Sequence, residues 1–142
     1  MWALTVAAII ERQGRFLVVE EPNKTTGLPV INQPAGHVEP GESVLDAVRR
    51  EVREETAVEV DRVEYRGSQP WPFPASLMLA FRAHAATTRV AMDDEELTDA
   101  RWFTRAELTA AVHRCEVVLP GPASIAHALV EDWYGAPLPA QP

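Results

Sequence analysis

Three closely spaced glutamates are the part of this chain best suited to chemistry. The string Gly36-His37-Val38-Glu39-Pro40-Gly41-Glu42 is followed, seven residues on, by Arg50-Glu51-Val52-Arg53-Glu54-Glu55. At ~100° per residue on a helix, Glu51 and Glu55 lie one turn apart on one side, with Glu54 beside them. Carboxylates so placed repel one another by a few tenths of a kcal/mol per pair in water. A cation among them removes that cost, and an oxygen-only cluster suits Mg²⁺ or Mn²⁺. The alternative is a solvated acidic face. Against it, Glu51 and Glu55 border the apolar stripe of the helix instead of standing opposite it.

A second string, Gly67-Ser68-Gln69-Pro70-Trp71-Pro72-Phe73-Pro74-Ala75-Ser76, is unusual on physical grounds. Alternate prolines remove backbone donors and fix φ near about −65°, which predicts a stiff extended loop and not a central strand. Trp71 and Phe73 are then presented on a pre-organised backbone. They either stack on a planar ligand at little entropic cost or plug a core edge or subunit interface.

The elements that must hold these groups follow from pattern. Apolar runs at residues 4–10 and 16–19, around the turn Glu11-Arg12-Gln13-Gly14, predict two strands. Residues 21–28 read as an exposed loop, and 29–40, with Pro34, Gly36 and Pro40, as short and irregular. Ser43 caps a helix over 43–57, with Val44, Leu45, Val48 and Val52 on its apolar face. Val58, Val60, Val63 and Tyr65 predict one or two strands, and 77–81 and 100–103 two more. Thr104 and Glu107 form a capping box opening a helix to about His113. A third helix starts near Pro122, with Ile125, Leu129 and Trp133 recurring every four residues. The tail from Gly135 is expected to fray. With no linker or repeat, residues 1–142 read as one mixed α/β domain.

Gly36, Glu42, Arg50-Glu51-Val52, Glu54-Glu55 and Val58 stand at the spacing of the Nudix box, and the chain resembles that family. Ala57 departs from it: glycine is usual there, where the helix ends in a left-handed cap. The resemblance implies an α/β (α+β) fold, an α/β/α sandwich around a mixed sheet. It also implies an acid-anhydride hydrolase splitting nucleoside diphosphates linked to another moiety. Glu51, Glu54 and Glu55 would hold the divalent ions, with Glu54, Glu55 and Arg50 catalytic. Arg50 would orient the carboxylates through charge-assisted hydrogen bonds; the alternative for it is a surface arginine on the far side of the helix.

The proline–aromatic string is similar to the signature that follows the box in NADH pyrophosphatases. The similarity continues through Leu77-Met78, Ala80-Phe81, Glu96-Leu97, Ala100-Arg101-Trp102 and Ser124-Ile125-Ala126, covering most of residues 36–134. Carried over, Gln69, Pro70, Trp71, Pro72, Phe73, Pro74, Ala75, Ser76 and Ala126 would contact substrate. The main-chain carbonyl of Ala35 and the carboxylates of Glu51, Glu55 and Glu96 would bind metal, and the loop would help form a homodimer. His37 stands where that subfamily has an adenine-stacking phenylalanine, and alternatively caps a turn. Cys115, the single cysteine, cannot build that subfamily's four-cysteine ribbon, so no zinc is expected. Residues 1–40, including Asn32-Gln33-Pro34-Ala35, resemble small stand-alone Nudix phosphatases instead.

Three functions are therefore open: cleavage of NAD(H) or a related dinucleotide into two mononucleotides; hydrolysis of a nucleoside di- or triphosphate or small pyrophosphate; and nucleotide binding without catalysis. Composition narrows the partners. Lys+Arg 13 against Asp+Glu 21 gives a net charge of −8, without the basic stripe of a nucleic-acid binder. No apolar run approaches the roughly 20 residues that span a membrane. The first residues lack the pattern of a signal peptide, so a cytoplasmic protein is expected.

Overall fold

The computed structural model describes residues 3–22, 27–71, 75–91 and 99–141. Strands β1 (Ala3–Arg12) and β2 (Arg15–Pro22) form a hairpin in which Arg12 pairs with Arg15. Its two loop residues, Gln13 and Gly14, have φ of 52° and 76°. Positive φ at both positions gives the turn whose twist matches that of the flanking strands. Ala7 and Ile9 face one core, while Val6, Ala8 and Ile10 face the other. Burial on both faces is why β1 is an unbroken apolar run.

The described strands form one mixed sheet of seven, in the order β3-β2-β1-β6-β5. β3 is Pro29–Asn32, β4 Ala35–His37, β5 Val60–Trp71, β6 Ser76–Ala85 and β7 Asp99–Thr104. β6 runs parallel to β1; β7 pairs with β2, and β4 pairs with Thr5, Val6 and Ala7 of β1. Helix α1 (Val44–Thr56) covers one face through Val48 and Val52. Helices α2 (Arg105–His113) and α3 (Ile125–Tyr134) cover the other through Leu108, Val112, Leu129 and Trp133. Trp133 stacks against Phe16 at 4.0 Å between ring centroids. This is the expected α/β/α sandwich.

The caps predicted from sequence form. Ser43 Oγ accepts from the Asp46 N–H, and Thr104 and Glu107 bond reciprocally. Ala57 ends α1 with φ 65°, the left-handed cap for which glycine is favoured.

Two expectations need correction. Leu45 is 42% exposed, and Ala47 joins the buried stripe in its place. Helical side chains lean toward the N-terminus, so a first-turn leucine projects past the core. The third helix starts near Pro122 as expected, with Ser124 as its cap. The proline–aromatic string does not begin as a loop: Gly67 pairs with Ala80 and Trp71 with Ser76, extending β5. Pro70 is tolerated because β5 ends the strand order, where a missing N–H breaks no ladder. In the tail, Leu138 packs on the core and the Leu119 N–H donates to Gln141 Oε1 at 2.6 Å. Residues 29–40 hold two short strands, neither of them long.

Candidate functional site

The site begins where β4 passes under α1. Gly36 pairs with Val6, and any Cβ placed there would overlap the Glu51 carboxylate. The glycine leaves room for a helix carboxylate to lie directly on the strand; a side chain there would displace that carboxylate. Next to it, the Ala35 N–H donates to Glu55 Oε2 at 3.3 Å. Gly41 turns the chain with φ +78°, a conformation glycine adopts without strain, and so brings Glu42 back toward the helix.

Arg50 joins the loop to the helix. Its Nε and one terminal nitrogen donate to the two oxygens of Glu42 at 2.7 and 3.0 Å. That terminal nitrogen also donates to the His37 carbonyl at 2.8 Å. The other donates to Glu51 at 2.8 Å and Glu54 at 3.2 Å. The side chain is 18% exposed, so Arg50 is not a surface arginine on the far side of the helix. Its bonds, with the Glu39 N–H, hold the Glu42 carboxyl below the ordinary range. Hydrogen bonding to Glu42 pushes the Arg50 guanidinium further up. Glu51 moves the other way: burial raises its carboxyl more than Arg50 lowers it.

A cavity of about 380 Å³ opens beside this cluster, with Ala35, Gln69 and Ala126 in its wall. Gln69 reaches from β5 to the start of α3, donating to the Ala123 carbonyl and accepting from the Ile125 N–H, both at 2.9 Å. His37 lies at the far end of β4 from Ala35. It is exposed, faces a shallow concavity with Leu4, Val38 and Pro40, and has Nδ1 at 3.3 Å from Thr5 Oγ1.

The structure thus brings together Ala35, Arg50, Glu51, Glu54 and Glu55, and sets Gln69 and Ala126 on the adjoining cavity. Pro70, Ala75 and Ser76 lie at the paired ends of β5 and β6, outside that wall, as does the backbone of Trp71. Pro72, Phe73, Pro74 and Glu96 lie outside the described residues. Among the described residues, no three His, Cys, Asp or Glu side chains are arranged as they stand to hold a metal ion. Sequence reading missed Gln33 and Met78, which line the same cavity. A polar Asn32-Gln33 pair next to the buried Ile31 was the available signal.

Residues 1–120 match the family described as NUDIX domain, and the chain belongs to it. Its relatives include the NAD-capped RNA hydrolase NudC of Pseudomonas putida, 39% identical over 142 residues, 97% of this chain and 48% of that one. The NAD-capped RNA hydrolase NUDT12 of Homo sapiens is 48% identical over 103 residues, 70% of this chain and 22% of that one. The chain therefore spans half or less of the length of these relatives. A solved NUDIX hydrolase from Nitrosomonas europaea superposes with a TM-score of 0.68 at 29% identity, covering 98% of this chain and 93% of that one. Among the described residues, no helix is long and apolar enough to cross a membrane.

Proposed function

We propose that this chain is a metal-dependent pyrophosphohydrolase that cleaves the diphosphate of NAD(H), or of a related dinucleotide, into two mononucleotides. The carrying observation is the carboxylate cluster around Arg50, set on Gly36 beside a cavity walled by Ala35, Gln69 and Ala126. Relatives named for hydrolysing NAD-capped RNA support NAD as the substrate class. They also raise a second form of that substrate, NAD at the end of an RNA. The −8 net charge disfavours extended RNA contact, so the free dinucleotide is preferred.

The donor set fits a divalent cation. Glu51, Glu54 and Glu55 offer hard oxygens, and Glu51 is a part-buried carboxyl whose desolvation outweighs what Arg50 returns, a deficit that a dication offsets. In this reading Glu96 and the Ala35 carbonyl complete the set, with Mg²⁺ or Mn²⁺ and not zinc as the ion. When bound, the metal neutralises the diphosphate and acidifies the attacking water. Arg50 holds Glu51 and Glu54 in place, its own position fixed by Glu42 and the His37 carbonyl. Glu55 is oriented by the Ala35 N–H at the cavity wall. His37 offers its ring to the adenine, while residues 69–76 and Ala126 take the other end of the dinucleotide and residues 71–73 help form a homodimer.

The test is to incubate the pure protein with Mg²⁺ and NADH, NAD, ADP-ribose or nucleoside triphosphates, and to resolve the products. Mononucleotide pairs from NADH and NAD are expected. Preferential release of inorganic pyrophosphate from a triphosphate contradicts the reading.

A further inference from the structure

Gln33 carries a side-chain atom with no partner among the described residues. The residue is 1% exposed, and Nε2 donates to the Ala126 carbonyl at 2.7 Å. Its backbone N–H is satisfied by the Asn32 side chain. Oε1 has no hydrogen-bond partner among the described residues. A leucine or methionine would fill the same volume with no polar atom to satisfy, and buried amide oxygens without partners are rare and costly. The residue nevertheless lines the cavity beside the carboxylate cluster. The Gln69 side chain has both polar atoms committed to the start of α3. The anchor on Ala126 also fixes which way the Gln33 amide points: its nitrogen is held by a carbonyl, so its oxygen is what remains to offer. Among the described residues Oε1 therefore stays without a donor, in a side chain almost fully buried in the wall of this cavity.

We infer that Gln33 is a specificity-determining residue of this cavity, its Oε1 accepting a hydrogen bond from the N–H of a primary carboxamide on the bound ring. This rests on the NAD reading above, in which the adenine lies toward His37 and the nicotinamide end enters the cavity. A carboxamide supplies the donor. A carboxylate in its place has none, and sets a negative charge against a carbonyl oxygen. The chain should therefore separate NAD from nicotinic acid adenine dinucleotide, two substrates with the same diphosphate.

The experiment measures kcat/KM for both dinucleotides with the full chain in Mg²⁺, for wild type and for Gln33→Leu and Gln33→Met. Wild type is expected to prefer the carboxamide by about tenfold or more, the scale of one buried hydrogen bond. Both variants should bring the ratio near unity, mainly by losing KM for NAD. A residue that only clamps Ala126 would lower both substrates alike and leave the ratio intact, which overturns the inference. If circular dichroism shows that the variants do not fold, the wild-type ratio decides, and a ratio near unity overturns it. If wild type cleaves neither dinucleotide, the NAD reading fails. Calorimetric binding of nicotinamide mononucleotide against nicotinic acid mononucleotide then tests Gln33 separately: tighter binding of the amide supports the inference, and equal affinities reject it.

Discussion

At Glu51, burial and charge oppose each other. The carboxylate lies on Gly36 with Arg50 as counter-charge, and burial raises its pKa above the ordinary carboxyl value. A folded-state value above the unfolded one means the neutral carboxyl contributes stability at low pH, and that contribution is lost as the pH rises through the folded value. In chelator at pH 7, Glu51→Gln should therefore melt no lower than wild type, with its advantage shrinking as the pH falls into the carboxyl range. Melting curves at a series of pH values check this; a difference independent of pH contradicts it. His37 carries a second prediction. Its carbonyl, not its ring, holds Arg50, so a change of side chain leaves the carboxylate cluster intact. A phenylalanine offers a larger stacking face, and base stacking on an aromatic is worth roughly 1–3 kcal/mol. His37→Phe should lower KM for NADH by up to about tenfold with little change in kcat, because stacking on a remote base is uniform binding. Steady-state kinetics showing unchanged NADH parameters but poorer triphosphate hydrolysis would favour the smaller substrate.

The elements show which parts of the design are local enough to read in sequence. Ser43, Thr104 and Glu107 cap their helices as expected, because a cap needs only residues three apart. Ile125, Leu129 and Trp133 are buried as their spacing predicts. The glutamates of α1 were legible for the same reason. What holds them was not: Arg50 meets Glu42 and the His37 carbonyl across a loop whose path depends on β4 pairing with β1. β5 was misread past Gly67 because prolines argue against a strand unless its neighbour is known, and the neighbour, β6, follows it in sequence. Gln33 went unnoticed because its partner is 93 positions away. Ala57 closes α1 in the left-handed region. An L-residue at φ 65° is strained relative to glycine by about 1 kcal/mol. Ala57→Gly should therefore raise the melting temperature by roughly 3–4 °C. Calorimetry showing no rise would mean that the exit turn is not strained.

For the whole molecule, the sandwich places α1 on one face and α2 and α3 on the other, so the carboxylates and the cavity meet across β4. The strand order leaves β5 at its end, and an edge strand is a pairing template unless covered. Its far end leads into the Trp71-Pro72-Phe73 segment, which on resemblance helps form a homodimer. Light scattering at micromolar protein should give twice the chain mass of 15.7 kDa. A strict monomer would count against the dimer and weaken the dinucleotide reading with it.

On the proposed reading, the glutamates of α1, beside this cavity, direct cleavage of the NAD(H) diphosphate. The most direct measurement compares wild type and Glu55→Gln on NADH at saturating Mg²⁺, with products resolved. Wild type should yield AMP and reduced nicotinamide mononucleotide, with turnover lost in chelator. Glu55→Gln should fall by roughly 100-fold or more, since it removes a charged oxygen from a site that works by charge. Near-wild-type turnover by Glu55→Gln, or NADH left intact by wild type, would overturn this assignment.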